Sequence, residues 1–141
     1  MPNGRELKLS SLLYEVFAHM AEITSAAPET IRDNQHDLYI QKVIHFIDAH
    51  YASKISISQI ANFVGLNRSY LCSIFKSRTS SSIQEYLIRF RINKACELMS
   101  NKLLSIADIA RSVGYDDPLL FSKMFKKEKG ISPRNYRSEF T

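Results

Sequence analysis

The chain contains a second copy of part of itself. Ile60-Ala61-Asn62-Phe63-Val64-Gly65-Leu66 aligns with Ile109-Ala110-Arg111-Ser112-Val113-Gly114-Tyr115 at an offset of 49. One extra turn residue takes the offset to 50. Leu71, Ile74, Phe75 and Lys76 then fall on Phe121, Met124, Phe125 and Lys126, and Tyr86 falls on Tyr136. A fixed-period self-match means one supersecondary unit built twice, so any fold for the chain must accommodate both copies. Each copy reads as an apolar helix, a glycine and a second apolar helix. Ala61 and Ala110 let a partner helix approach closely, and Gly65 and Gly114 can take the left-handed conformation that a tight turn needs. That is the physics of a helix-turn-helix. The second helix of each copy packs inward through 71, 74 and 75, or through 121, 124 and 125. The opposite face then carries Ser69, Cys72, Ser73 and Lys76 in one copy, and Leu119, Ser122, Lys123 and Lys126 in the other.

Start and stop signals place the other elements. Leu38, Ile40, Val43, Ile44, Ile47 and Tyr51 mark a helix ahead of the first copy. Ser56 or Ser58 caps the next helix, Gly65 ends it, and Asn67 caps the one after. A connector runs from about Ser82 to Met99, apolar at Ile83, Tyr86, Leu87, Phe90, Ala95 and Leu98. Ser105 caps a helix ended by Gly114. Asp116 or Asp117 caps another with Pro118 in its first turn, where proline is tolerated, and Gly130 stops it. Pro133 opens a last helix to about Phe140. Nothing alternates as a strand does. The expected fold is all-α: a seven-helix domain of two helix-turn-helix units joined by a long connector helix, preceded by an N-terminal helical arm.

The arm is apolar at Leu9, Leu13, Val16, Met20 and Ile23, in steps of four and three, with Leu12 and Phe17 widening the stripe. Such a seam either docks on another surface or self-associates into a homodimer. Thr24 to Asp37, richer in Pro, Ala, Thr and Asn, reads as a linker. Residues 1–36 are therefore assigned to the arm and linker, and 37–141 to the domain.

Charge separates the same two parts. The net charge is +5; residues 1–36 hold three basic and five acidic groups, and residues 37–141 hold 16 and 9, so they sum to −2 and +7. A basic domain suits a polyanionic partner. With 45% apolar and 23% charged residues, a wholly disordered chain is excluded. No apolar run reaches the ~18 residues of a membrane-spanning helix, and Met1 to Gly4 lack the layout of a signal peptide. Cys72 and Cys96 fall in helical segments and read as packing residues, not a disulfide framework, which suits a reducing cytoplasm. His19, His36, His45 and His50 make no metal-site spacing. No Gly-rich phosphate loop, nucleophile elbow or paired-carboxylate motif appears. No enzyme activity, cofactor or metal is expected.

Several strings together carry a resemblance. They are Ile106-Ala107-Asp108-Ile109-Ala110, Val113-Gly114-Tyr115, Phe121-Ser122-Lys123-Met124-Phe125-Lys126-Lys127, Gly130-Ile131-Ser132-Pro133, Tyr136-Arg137, and, in the connector, Tyr86-Leu87 with Arg89, Arg91 and Ala95. Residues about 38–138 resemble the DNA-binding domain of the AraC/XylS family of bacterial transcription regulators. The resemblance implies seven helices and double-stranded DNA as partner. It further implies RNA polymerase as a partner of the full regulator. A separate N-terminal domain in such proteins often senses a sugar or other small molecule and dimerises. Residues 1–36 cannot hold that domain, so the effector would bind outside this chain. The chain is then expected to be either a fragment whose arm is the tail of that domain or a short stand-alone member. It departs from the family at Thr79-Ser80-Ser81-Ser82, where a glycine is usual, and at Pro118-Leu119-Leu120, which lacks polar base readers.

The resemblance and the exposed-face argument together assign the contacts. Recognition helices span about 67–78 and 117–129. Base contacts are expected from Arg68, Ser69, Cys72 and Ser73 in the first and from Leu119, Ser122 and Lys123 in the second. Arg68 can pair bidentately with guanine, or it meets a phosphate. Cys72 reads a base or only packs. Leu119 touches a thymine methyl, or its unit supplies mostly phosphate contacts. Lys76, Lys126, Lys127 and Arg134 are expected at phosphates, as are the helix N-termini near Ser58 and Ser105. A connector of about 20 residues is ~30 Å long, close to the ~34 Å repeat of major-groove windows. One chain can then place two readers in adjacent grooves. The alternative is a helical protein-interaction module without sequence-specific DNA binding.

Overall fold

The structure, a computed structural model, describes residues 28–140, with side chains from Ile31 onward. The seam over Leu7–Ile23 lies outside the described residues, as does His19. Among the described residues there are seven helices: α1 Pro28–His50, α2 Ile57–Val64, α3 Arg68–Thr79, α4 Ile83–Leu98, α5 Ile106–Ser112, α6 Pro118–Lys129 and α7 Pro133–Phe140. No described residue is in a strand. None of these helices is long and apolar enough to cross a membrane.

The chain divides into two units. The first runs to Phe46 and resumes over Ser58–Ser81; the second takes Ile47–Ile57 and everything from Ser82. In the first unit Val43, Ile44, Ile60, Ala61, Val64, Leu71, Ile74 and Phe75 are buried. In the second the core gathers Ile92, Ala95, Met99, Ile109, Ala110, Val113, Tyr115, Phe121 and Phe125, with Met124 and Tyr136 packed against it. Burying each of these large apolar side chains stabilises by roughly 1.5–3 kcal/mol.

The sequence repeat is a structural repeat in its hydrogen bonds. Gly65 and Gly114 both sit at positive φ, +87° and +102°. One residue on, the amide of Leu66 donates back to the Ala61 carbonyl at 3.1 Å, and that of Tyr115 to the Ala110 carbonyl at 2.9 Å. Both turns thus close with the same six-to-one bond of a Schellman cap. The offset of 50 then holds at the far ends of α3 and α6. Ser80 and Gly130 are both left-handed C-caps, and their amides donate to the Lys76 and Lys126 carbonyls at 2.9 and 2.8 Å. Helix α3 therefore ends at Thr79, with Ser80 (φ +63°) where the family usually has glycine.

Four expectations are corrected. The stretch Thr24–Asp37 is not all linker: α1 begins at Pro28. Proline is tolerated at a first helical position, and the carboxylates of Asp33 and Asp37 pair with Arg78, far off in sequence. The connector α4 has 16 residues, not about 20, because Ser82 and Met99 are its caps and not helical residues. Its length is therefore ~24 Å. Tyr51, counted with the first helix, falls in the turn after α1. Helix α2 begins at Ile57, which leaves Ser56 before its first turn and puts Ser58 inside it.

Candidate nucleic-acid interface

Helix α3 is started by Asn67. Its side-chain oxygen accepts from the amides of Ser69 at 2.8 Å and Tyr70 at 3.3 Å, satisfying two of the free donors at the helix start. With Leu71, Ile74 and Phe75 buried, the opposite face is fixed. Arg68, Ser69, Ser73 and Lys76 are exposed and Cys72 is half-buried. The four expected base contacts and Lys76 thus share one end or one face of α3. Cys72 lies at the edge of that face, which suits both of its readings.

Helix α6 is started by Asp117, whose carboxylate accepts from the Leu119 amide at 2.9 Å, with Pro118 at the first position. Phe121 and Phe125 point inward. Leu119 is 80% exposed, Ser122 half-buried, and Lys123, Lys126 and Lys127 exposed. Lys129 donates to the Asn93 side chain at 2.9 Å, so the free charge of the helix sits on 123, 126 and 127. Arg134 is exposed on α7. Leu120 beside Leu119 is also exposed, so the start of α6 presents two leucines ahead of its lysines.

The two helix-start candidates differ. Ser58 is exposed in the first turn of α2. Ser105 caps α5 in a capping box. Its hydroxyl accepts from the Asp108 amide at 3.0 Å, and its own amide donates to the Asp108 carboxylate at 3.0 Å. The Ser105 amide, helped by the Ser105 side chain and more weakly by Arg111, holds the Asp108 carboxyl below its ordinary pKa. A fixed negative charge at that helix start disfavours a phosphate there.

Other basic residues are structural. Arg91 donates to the Tyr51 and Ser53 carbonyls, both at 2.9 Å, and lies over the Tyr115 ring at 5.5 Å. Burial lowers its pKa from the ordinary value, though a guanidinium stays charged throughout. Arg137 donates to the Met99 and Asn101 carbonyls at 3.1 and 3.3 Å, tying down the end of α4. Sequence pattern does not single out Arg78 or Tyr70, both on α3. Arg78 is paired with Asp33 and Asp37 on α1, and Tyr70 contacts His36. Only a charge pattern over a long sequence separation could have flagged the first pair.

Two helix-turn-helix units, each with an inward apolar face and an outward small-polar or basic one, define a DNA-binding module. A family profile described as a helix-turn-helix domain matches residues 60–139. The chain belongs to the AraC/XylS family and carries its DNA-binding domain, that of a transcription regulator and not of an enzyme. It is 36% identical over 134 residues to the Msm operon regulatory protein of Streptococcus mutans, covering 95% of this chain and 48% of that protein. It is 35% identical over 143 residues to the Lactose operon transcription activator of Staphylococcus xylosus, covering 99% and 50%. The chain thus spans about half the length of these relatives. Among solved structures, the C-terminal domain of AraT, a response regulator from Geobacillus stearothermophilus, superimposes with a TM-score of 0.68 at 31% identity. That match covers 73% of this chain and 90% of that one.

Proposed function

We propose that residues 37–141 bind duplex DNA sequence-specifically for a bacterial transcription activator in the cytoplasm, with α3 and α6 each entering a major groove. Arg68, Ser69, Cys72 and Ser73 read bases from α3, and Leu119, Ser122 and Lys123 from α6. Lys76, Lys126, Lys127 and Arg134 hold phosphates, with the helix start near Ser58 as a further phosphate contact; the Asp108 carboxylate argues against the Ser105 helix start in that role. The observation that carries this reading is the outward face of each second helix, small-polar or basic above a fully buried aromatic pair or its equivalent. Arg68, exposed at the N-terminal end of α3, carries the planar guanidinium that can pair bidentately with guanine. Leu119 gains a partner in a thymine methyl, which explains an exposed leucine on a basic helix. The Staphylococcus xylosus relative is named as an activator of a lactose operon, which supports activation; the effector of the full regulator is assigned as a sugar or other small molecule. That effector, the dimer contact and the RNA polymerase contact are assigned to the full regulator, with the arm of residues 1–36 joining the two parts.

The test is selection of bound duplexes from a random pool by the full chain, followed by salt titration on the enriched duplex. Two enriched motifs one helical turn apart, with affinity falling steeply with salt, are expected. Arg68→Ala should flatten base preference more than it weakens binding to a mixed-sequence duplex, whereas Lys126→Ala should weaken binding to both alike and reduce the salt slope by about one. A single motif would remove the reading role of α6. Absence of enrichment, with weak salt-independent binding, would reject the function in favour of a protein-interaction module.

A further inference from the structure

Helix α3 is held from outside the family-matching region. In its last turn, Arg78 Nη2 lies 2.7 Å from Asp33 Oδ1 and Nη1 lies 3.7 Å from Asp37 Oδ1. Its side chain is only 28% exposed. In the first turn of α3, the Tyr70 hydroxyl lies 3.3 Å from His36 Nε2, and the two rings meet edge-on with centroids 6.2 Å apart. Asp33, His36 and Asp37 stand at i, i+3 and i+4, one face of α1. Both ends of the recognition helix are therefore gripped by a single turn of α1. The anchors are eight residues apart on α3, ~12 Å along its axis. Two anchors at that spacing restrain tilt and rotation, which one cannot do.

The same contacts occupy the charge. Arg78 lies two residues past Lys76 and, by sequence alone, looks like another phosphate contact. Two carboxylates balance it. Asp37 is partly buried, which raises its pKa, and the Arg78 guanidinium opposes that rise. A carboxylate kept in such a place is held by its partner and not by water.

We propose that the first turns of α1 clamp the first recognition helix, so that Arg78 is a positioning residue and Asp33 and Asp37 set base preference without touching DNA. This rests on the DNA-reading role proposed above for α3.

The experiment uses the full chain with Arg78→Ala, Arg78→Lys, the double variant Asp33→Asn with Asp37→Asn, and the charge swap Asp33→Arg and Asp37→Asn with Arg78→Glu. Probes are the duplex enriched by the wild type and a mixed-sequence duplex without its motif. Arg78→Ala and the double variant should each lower the affinity ratio between the probes by about tenfold with the salt slope unchanged. Arg78→Lys and the charge swap should recover most of that ratio. If Arg78→Ala instead weakens both probes equally and lowers the salt slope by about one, while the double variant tightens both, Arg78 is a phosphate contact and the clamp is refuted. Amide hydrogen exchange without DNA decides the clamp independently of any DNA reading. Residues 68–79 should exchange faster in Arg78→Ala and in the double variant, with residues 118–129 unchanged. Unchanged exchange over 68–79, or a rise over both helices, overturns the proposal. If no duplex is enriched, the DNA-reading role fails while exchange still reports on the clamp.

Discussion

Ser80 and Gly130 occupy the same place in the two copies, and exchanging their chemistry measures what the left-handed cap costs. Ser80 is the one described non-glycine residue at positive φ, +63°. An L residue there carries about 1–2 kcal/mol of steric cost that glycine avoids. Glycine gives back part of the gain because it loses more chain entropy on folding, about 0.4–1 kcal/mol. Ser80→Gly should therefore stabilise by about 0.5–1 kcal/mol and raise the melting midpoint by a few degrees. The converse, Gly130→Ala, isolates the same term, since a Cβ built on Gly130 (φ +85°) meets nothing within 4 Å. It should destabilise by about 1 kcal/mol. Urea unfolding of both variants, with the slope against denaturant unchanged, is the assay. Loss of stability in Ser80→Gly would refute the reasoning, because it would mean the serine side chain contributes more than its backbone costs.

Four single residues carry the remaining predictions. Gly114→Ala should cost about 3 kcal/mol or more, since its Cβ would lie 2.6 Å from the Tyr51 carbonyl oxygen and 2.9 Å from Arg91 Nε. Gly65→Ala, with open space around it, should cost only about 1–2 kcal/mol; equal losses in urea unfolding would show that the crowding is relieved by movement. Tyr115→Phe should leave stability unchanged or raise it by about 1 kcal/mol, because the buried Tyr115 hydroxyl has no hydrogen-bond partner among the described residues; a thermal midpoint clearly below wild type would contradict this. Asp108 has a folded pKa held down by Ser105, so its contribution is present above the unfolded value near ~4 and is lost as pH falls through the folded value. Asp108→Asn should therefore melt below the wild type at neutral pH, with the gap closing in acid; a constant gap across that range would remove the carboxylate from the cause.

The parts of the fold legible in the sequence are those fixed by local rules. A glycine at a left-handed turn, a serine or asparagine before an apolar run and a proline in a first turn each act within a few residues. The bounds of α3, α5, α6 and α7 follow from them, and the self-match supplies a second reading of each. The start of α1 does not. Pro28 to Asp37 has linker composition, and the contacts that hold its helix come from Arg78, 45 residues on from Asp33. Local pattern carries no trace of such a pair. The same limit applies to the site. Arg68, Lys76, Lys126 and Lys127 look like Arg78, Arg91 and Arg137 in sequence, yet in the structure the second group is spent on Asp33, on backbone carbonyls and on helix ends. The +7 of residues 37–141 therefore overstates the charge available to a polyanion. Counterion release follows the phosphates actually neutralised, so the salt slope should track the exposed lysines and Arg134 and fall well short of the formal charge.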